Sequence, residues 1–390
     1  MTGRGLFFRL ILLVMMVIGL EACTTLAFYI QSINGQLDVL ASRQPLAELT
    51  ADPRTPEALR QRLKEIEQIR AFAIAELGLP DNGSYRSYAD LKRPFVLWNV
   101  FAAPEFSLTP LQWCFPFAGC VSYRGYFAEE DARQFAQTLT MQGYDVFVGG
   151  VAAYSTLGWF ADPVLNTMLR WDKGALAKVI FHELAHQKLY IPDDTAFNEA
   201  FATAVAQTGV KRWLAAQGDS RALTRFKQAE QRDTEFIALV LTARKQLESL
   251  YASSLKAAGM RAAKRGIFQD MRRAYEALKH RWHGYSGYEA WMANGLNNAK
   301  IASVVTYHER LAAFKVLFSA AHDEFERFYA LARLIGQLPP SKRGFCLDGL
   351  ARHGPGFLGA CFGLISSSTQ GVSRGVEMGV FISGVEFDFN

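Results

Sequence analysis

Three features are scarce in this chain of 390 residues: cysteine, long apolar runs and clustered charge. No two of its five cysteines have the CxxC spacing, so the sequence offers no cysteine cluster typical of a structural zinc site. The most apolar run, residues 10–20, is only about half as long as the roughly 20 residues that span a bilayer as a helix. The formal net charge is +5 without a long basic run, which excludes the usual pattern of a nucleic-acid-binding protein.

The N-terminal segment has the order of a secretory signal. Arg4 and Arg9 precede the apolar run, and the chain then reads Leu-Glu-Ala-Cys over 20–23. This order resembles the lipobox of bacterial lipoproteins, which implies that residues 1–22 are a signal peptide and that Cys23 carries a lipid. The chain would then be a membrane-attached protein of the bacterial cell envelope that faces the periplasm.

One residue departs from that pattern. Glu21 occupies a position that is usually small or apolar, so an uncleaved apolar anchor that begins at Leu6 remains the alternative. Both interpretations attach the chain to a membrane outside the cytoplasm. Thr24, where an aspartate would act as a retention signal, favours the outer membrane.

Four cysteines remain after Cys23, and an even number in an exported protein favours disulfide bonds. Cys114 and Cys120 flank a short loop that contains Pro116 and Gly119, both typical turn residues. We therefore predict a disulfide between Cys114 and Cys120. The remaining two, Cys346 and Cys361, form the second candidate pair.

The spacing of apolar residues predicts an α+β fold that is predominantly helical, with a small sheet and an added helical hairpin. We predict one domain over 23–340, followed by a segment of little periodicity and unknown role over 341–390. Short strands are predicted within 94–127 and at 144–148, upstream of a pair of helices within 173–216. The remaining predicted helices cover 56–77, 129–142, a hairpin over 220–283, and 304–337.

The sequence His182-Glu183-Leu-Ala-His186 matches the HExxH motif and lies within the first of the paired helices. Residues four apart share one helical face, so both imidazoles can reach the same metal ion. The ordinary alternative is that these side chains are simply satisfied in the core. However, three polar groups buried on an apolar helix without partners would be expensive, which favours a zinc site with Glu183 as its general base.

A catalytic zinc site needs a third ligand. A histidine at 192 would complete one common pattern, but that position is Pro192. Asp193 and Asp194 lie in the interhelix turn, where helix capping is the ordinary role. An antiparallel helix pair would instead bring Glu199 back opposite the two histidines, so Glu199 is the predicted third ligand.

At this point the chain resembles a known family. The lipobox, the Trp113–Cys120 segment, Tyr154–Phe160, the Phe-His-Glu-Leu-Ala-His-Gln segment and Phe-Asn-Glu-Ala-Phe-Ala-Thr-Ala are similar to predicted bacterial aminopeptidases, over the chain to about residue 335. The Asn-Glu segment also resembles that of gluzincin peptidases, in which the glutamate is a zinc ligand. Thr203 stands where those enzymes have an aspartate, and the gap between motifs is shorter.

The resemblance implies a zincin-like core, one zinc ion per chain and peptide substrates. Glu183 would act as general base. Tyr307 and His308, which open a predicted helix downstream, are candidate donors to the oxyanion, and the alternative is a tyrosine packed in the core with its hydroxyl satisfied. The Tyr154–Gly158 segment is a candidate edge for the substrate. An aminopeptidase also needs an anion for the substrate amine, for which Glu105, Asp162 and Asp172 are candidates. The competing hypotheses are an envelope endopeptidase and a non-catalytic lipoprotein scaffold with a structural metal.

Overall fold

The computed structural model describes residues 26–115, 119–293, 295–308 and 310–366. Helices dominate this part of the chain. The first, α1, covers 26–41. The later helices are α2 (Leu46–Ala51), α3 (Glu57–Ala75), α4 (Glu129–Met141), α5 (Lys173–Lys188), α6 (Thr195–Ala216), α7 (Ser220–Tyr251), α8 (Ala257–Arg281), α9 (Glu289–Ala293), α10 (Asn298–His308), α11 (Leu311–Ala320), α12 (Phe325–Gly336), α13 (Pro340–His353) and α14 (Leu358–Ser366).

Three small sheets accompany the helices. Their strands are β1 (Arg43–Pro45), β2 (Ser87–Ala89), β3 (Leu97–Pro104), β4 (Trp113–Phe115), β5 (Gly119–Val121), β6 (Arg124–Tyr126), β7 (Tyr144–Val151) and β8 (Val164–Leu165). The largest pairing joins β3 to β7 in antiparallel register, with β6 on the other side of β3. The order β1-β2-β8 forms a second sheet, and β4-β5 is a separate hairpin. The predicted α+β, predominantly helical fold class is therefore confirmed.

The predicted helix over 304–337 is wrong, because the structure has three helices where the sequence indicated one. Helix α10 ends at His308 and α11 begins at Leu311. Helix α11 ends before His322 and Asp323, whose φ values of 56° and 59° lie in the left-handed region and stop helical propagation. The backbone N–H of Asp323 donates to the carbonyl of Phe318, which caps the end of α11.

Helical structure continues beyond residue 340, where the sequence shows little periodicity. The buried side chains of Leu347 and Leu350 join α13 to the main hydrophobic core. Cys346 and Cys361 form a disulfide that links α13 to α14, and Cys114 and Cys120 form one across the β4-β5 hairpin. Among the residues of the four described ranges, no helix combines the length and apolar character needed to cross a membrane.

The main hydrophobic core surrounds the helix pair α5 and α6. Phe181 of α5 and Phe197 and Phe201 of α6 are fully buried, and the ring of Phe201 stacks on Phe328 of α12. Gly209 permits α6 to pack closely against α5, because a Cβ at that position would collide with the side chains of Leu77 and Phe181. The packing on all sides fixes both helices, so side chains that α5 and α6 share between them have little freedom to move.

Candidate metal centre

Helix α5 carries the HExxH motif on its buried length. Asp172 caps its N-terminus by accepting a hydrogen bond from the backbone N–H of Ala175 at 2.9 Å. His182 and His186, one turn apart, are 7 % and 1 % exposed, and Glu183 between them is fully buried. Nearly the whole middle of the helix is inaccessible to solvent, so these polar groups must be satisfied by one another or by a bound group.

A short turn brings the chain back antiparallel along α5. Asp194 caps α6 by accepting a hydrogen bond from the backbone N–H of Phe197. The side chain of Asn198 clamps the turn, because its amide donates to the carbonyl of Ile191 and its oxygen accepts from the N–H of Ile191, both at 2.7 Å. These two hydrogen bonds fix the start of α6. Glu199, the next residue, is thereby aimed at the two histidines.

Three potential ligand atoms meet between the helices. Nε2 of His182 lies 3.1 Å from Nε2 of His186 and 3.1 Å from Oε2 of Glu199, and Nε2 of His186 lies 3.7 Å from the same oxygen. Bonds of about 2.0–2.2 Å to a tetrahedral zinc ion would place its ligand atoms about 3.3–3.6 Å apart. The observed separations of 3.1, 3.1 and 3.7 Å lie within about 0.2 Å of this range. Two imidazoles and one carboxylate are also a donor set that zinc accepts, so the three residues fit a metal ion.

The charge state of this cluster suits a cation. Burial raises the pKa of Glu199, but the neighbouring His186 and His182 outweigh burial and hold the pKa at about 2. Burial also lowers the pKa of His186, which favours the neutral imidazole. A carboxylate anion and a neutral imidazole are the protonation states in which these side chains bind metals. Among the described residues, Nδ1 of His186 has no hydrogen-bond partner, so a water could fill that role.

The acidic groups of the cluster contribute to the raised pKa values of three tyrosines. The pKa of Tyr85 is well above its usual range, first because the ring is buried and then because of the negative charge of Glu183. Burial and the charge of Glu199 raise the pKa of Tyr190 to about 12 and raise that of Tyr123 further. The hydroxyl of Tyr85 is buried and has no hydrogen-bond partner among the described residues.

The backbone around Tyr85 is anchored to α5. The amide of Asn82 donates to the side chain of Gln187, the residue after His186, at 2.6 Å. The amide of Gln187 donates in turn to the hydroxyl of Ser84 at 3.3 Å. These bonds position the 82–85 turn against α5, the helix that carries Glu183.

The other residues singled out from the sequence have separate places. Asp194 caps α6 and pairs with Arg343 at 3.0 Å, while Oδ1 of Asp193 accepts a weak bond from the N–H of Cys120. Neither aspartate belongs to the group of potential ligands. Tyr307 and His308 fall in α10, but their side chains lie outside the described residues, as does Cys23.

All three candidate anchors for a substrate amine have structural partners. Glu105 pairs with Arg261 through two bonds of 2.6 and 2.8 Å. Asp172 caps α5. Asp162 is 3 % exposed and accepts bonds from the backbone N–H and hydroxyl of Thr156 and from the hydroxyl of Ser155. Each carboxylate therefore has a role in the fold that competes with binding an amine.

The Tyr154–Gly158 segment follows the edge strand β7 and is held by the hydrogen bonds to Asp162. Tyr154 is buried and its hydroxyl donates to the side chain of Gln36, while Ser155 and Thr156 are tied to Asp162. The chain then turns at Leu157 and Gly158, both with positive φ. The segment is thus extended only as far as Thr156, and its role as a substrate edge stays a prediction.

Two residues of the site had no assigned role in the sequence. Asn198 was recognised only as part of the Asn-Glu segment, and the structure shows it clamping the interhelix turn. Tyr85 lies in a turn without any motif, and no sequence signal could have connected it with Glu183. The short turn between α5 and α6 was the one signal that could have assigned Asn198, since asparagine commonly satisfies turn backbone.

The geometry defines a candidate metal site, made of three buried potential ligands between two antiparallel helices, with a buried glutamate next to its first histidine. The chain belongs to the family described as "Putative aminopeptidase", whose model matches residues 27–347. This range includes every residue of the site and confirms the resemblance to the aminopeptidase family. Comparison with curated proteins and with solved structures finds no significant match.

Proposed function

We propose that this member of the aminopeptidase family is a zinc-dependent peptidase with one zinc ion per chain, held by His182, His186 and Glu199. The observation that carries this proposal is the triangle of ligand atoms, with separations of 3.1, 3.1 and 3.7 Å, beside the fully buried Glu183. The family supports peptide hydrolysis, and trimming from the amino terminus is the form that its description favours. The small sheet of β3, β6 and β7 upstream of α5 supports the proposal of a zincin-like core.

Each residue of the chain has a defined task in the proposed reaction. Zinc, when bound, lowers the pKa of a water ligand and polarises the scissile carbonyl. The carboxylate of Glu183 accepts the proton of the attacking water and delivers it to the departing amine. Burial of Glu183 excludes bulk water from this transfer. The clamp of Asn198 fixes the interhelix turn and keeps Glu199 oriented towards the histidines.

Tyr85 is the donor that we assign to the developing oxyanion. Its hydroxyl is buried, is close enough to Glu183 for that charge to raise its pKa, and has no other partner among the described residues. A preorganised neutral donor stabilises negative charge that appears only during the reaction. Tyr307 stays a prediction for the same task.

We also propose that the enzyme works in the bacterial cell envelope, attached by a lipid at Cys23 and facing the periplasm, with the outer membrane as the favoured site. The argument is the order of basic residues, apolar run and lipobox in residues 1–23, together with the disulfides formed by the other four cysteines. Disulfides persist in oxidising compartments such as the periplasm. Peptides in that compartment are the proposed substrates.

A panel of substrates tests the proposal. The purified full chain is assayed on aminoacyl p-nitroanilides and on internally quenched peptides with blocked amino termini, with and without a chelator. We expect release of nitroaniline that chelation abolishes and that zinc restores. Cleavage of the blocked peptides alone would identify an endopeptidase. Zinc bound without hydrolysis of either substrate would identify a structural metal site and reject the proposed function.

A further inference from the structure

Helix α1 exposes a continuous row of apolar side chains. Leu26, Ile30, Ile33 and Leu37 are between 50 % and 60 % exposed. Their spacing of four, three and four residues places them on one face of the helix, over a length of about 16 Å. We call these four residues the apolar stripe. They account for four of the nine large apolar side chains that are exposed in the described part of the chain.

The remaining exposed apolar residues are dispersed. They lie on α4, on the turn after Thr156, on the α7-α8 connection and on α13, and are Met141, Trp159, Phe160, Leu255 and Phe345. Single exposed apolar residues are normal on protein surfaces, but a contiguous row indicates a contact with something apolar. Asp38 is the one charged residue of α1, and its position falls about 100° around the helix from Leu37.

The opposite face of α1 is fixed to the protein body, so the stripe cannot turn inward. The side chain of Gln31 accepts a bond from the N–H of Phe127 at 3.1 Å and donates to the carbonyl of Gly125. The ring of Phe28 packs edge-on against Tyr126. Gly35 lies directly against the ring of Phe127, where any Cβ would collide. The orientation of α1 is therefore set by its buried face.

The sequence before α1 identifies the partner. Cys23 lies three residues before Leu26, so even a fully extended chain separates their Cα atoms by no more than about 11 Å. A lipid on Cys23 would hold that residue at the membrane surface. The first turn of α1 must then lie at the headgroups as well, and its exposed face is the apolar one.

We propose that the apolar stripe of α1 rests on the lipid bilayer, as a second attachment beside the lipid on Cys23. The inference rests on the proposed attachment at Cys23 and is independent of the proposed peptidase chemistry. Interfacial helices bury their apolar face about 5–10 Å into the boundary between headgroups and acyl chains. Because α1 is fixed to the body, this contact also sets the orientation of the whole domain relative to the membrane.

The test uses the full lipidated chain in vesicles of phosphatidylethanolamine and phosphatidylglycerol. An environment-sensitive fluorophore is attached to Ile33→Cys in one variant and to Met141→Cys in the matched control, a residue that is 74 % exposed and remote in sequence from α1. With Cys23 acylated and the other four cysteines in disulfides, the new thiol is the only reactive one. Lipids that carry a quencher in their acyl chains are then introduced.

We expect the probe at 33 to shift to the blue and to lose roughly half of its emission to the quencher-bearing lipids, since it lies at the acyl-chain boundary. The probe at 141 should be unchanged. Replacing Ile30 and Leu37 by glutamine should weaken the quenching at 33 and leave peptide hydrolysis intact. Photolabelling of the unmodified chain with an apolar reagent in the bilayer, mapped by mass spectrometry, should mark residues 26–41 without any substitution.

Three outcomes would overturn the inference. A blue shift at 33 without quenching would mean that a second copy or another protein covers the stripe. Equal, unquenched emission at both positions would mean that the stripe faces water. A full chain that does not float with the vesicles would remove the attachment itself. Loss of peptide hydrolysis with quenching retained would reject only the proposed peptidase function.

Discussion

Two helical hairpins in this molecule differ in what they bury. The α7-α8 hairpin is amphipathic: Val240, Leu247 and Met271 form its inner face, while most of its charged side chains lie outside. The α5-α6 hairpin buries His182 and Glu199 in the middle of the main core. The first arrangement follows from solvent avoidance alone. The second buries polar groups whose desolvation opposes folding unless they bond to one another or to a bound cation, and the proposed zinc ion would fill that need.

The contrast between the two hairpins is tested most strongly at Glu183 of α5. Replacing it by glutamine keeps the shape but removes the general base, and we expect turnover to fall by about 10²–10⁴-fold while the zinc content stays near one per chain. Steady-state kinetics and elemental analysis measure the two quantities. Glu67→Gln, the same change on the exposed face of α3, should alter neither. Loss of zinc in Glu183→Gln would contradict the proposed role.

A second prediction distinguishes Glu199 from Asp193, another acidic residue that follows the HExxH motif. Glu199→Gln removes a charged ligand, and we expect zinc affinity to fall by at least about 100-fold, more than a supporting residue would cause. Asp193→Asn is the matched control, since asparagine tolerates the positive φ of that residue. Competition with a zinc chelator gives the affinities. Normal binding by Glu199→Gln would refute the third ligand.

In the α7-α8 hairpin we expect a core substitution to change the free energy of unfolding and not the zinc content. Leu247 is fully buried, so Leu247→Ala should lower the free energy of unfolding by about 2–5 kcal/mol and leave zinc content unchanged. Urea denaturation of the zinc-loaded chain measures this effect. Leu255→Ala, at a side chain that is 48 % exposed, should change stability little. A loss of zinc in Leu247→Ala would show that the two hairpins are not independent.

Asp162 gives a pH-dependent prediction. Burial raises its pKa to about 6, above its usual 3.8, against the lowering effect of the bonds from Thr156 and Ser155. The folded state therefore binds more protons than the unfolded state between about pH 4 and pH 6, and its stability falls as pH rises through that window. Relative to Asp162→Asn, the wild type should lose up to about 3 kcal/mol. An identical pH dependence in both proteins would contradict this account.

The smallest effect is expected at Tyr85. Tyr85→Phe removes one hydroxyl, and because zinc shares the charge of the oxyanion we expect kcat to fall only about tenfold. Zinc content and KM should be nearly unchanged, as for a donor that acts in the transition state. Tyr88→Phe on β2 is the control, since no acidic group of the metal site affects its pKa. An unchanged kcat in Tyr85→Phe would return the role to Tyr307.

The sequence predicts the local parts of this structure well and the distant ones poorly. The α5-α6 and α7-α8 hairpins follow from helical periodicity and nearby capping residues such as Asp194. Glu199 follows from a short antiparallel turn. The break at His322 and Asp323 was missed because left-handed backbone at these residues depends on packing around them. Tyr85 was missed because its approach to Glu183 depends on tertiary contacts through Gln187.

The central claim is that one zinc ion lies between α5 and α6, and anomalous diffraction at the zinc absorption edge tests it most directly. In crystals of the full chain grown without a chelator, the account predicts a single anomalous peak bounded by Nε2 of His182, Nε2 of His186 and Oε2 of Glu199. Absence of a peak there in zinc-soaked crystals, or a peak held by other residues, would contradict it.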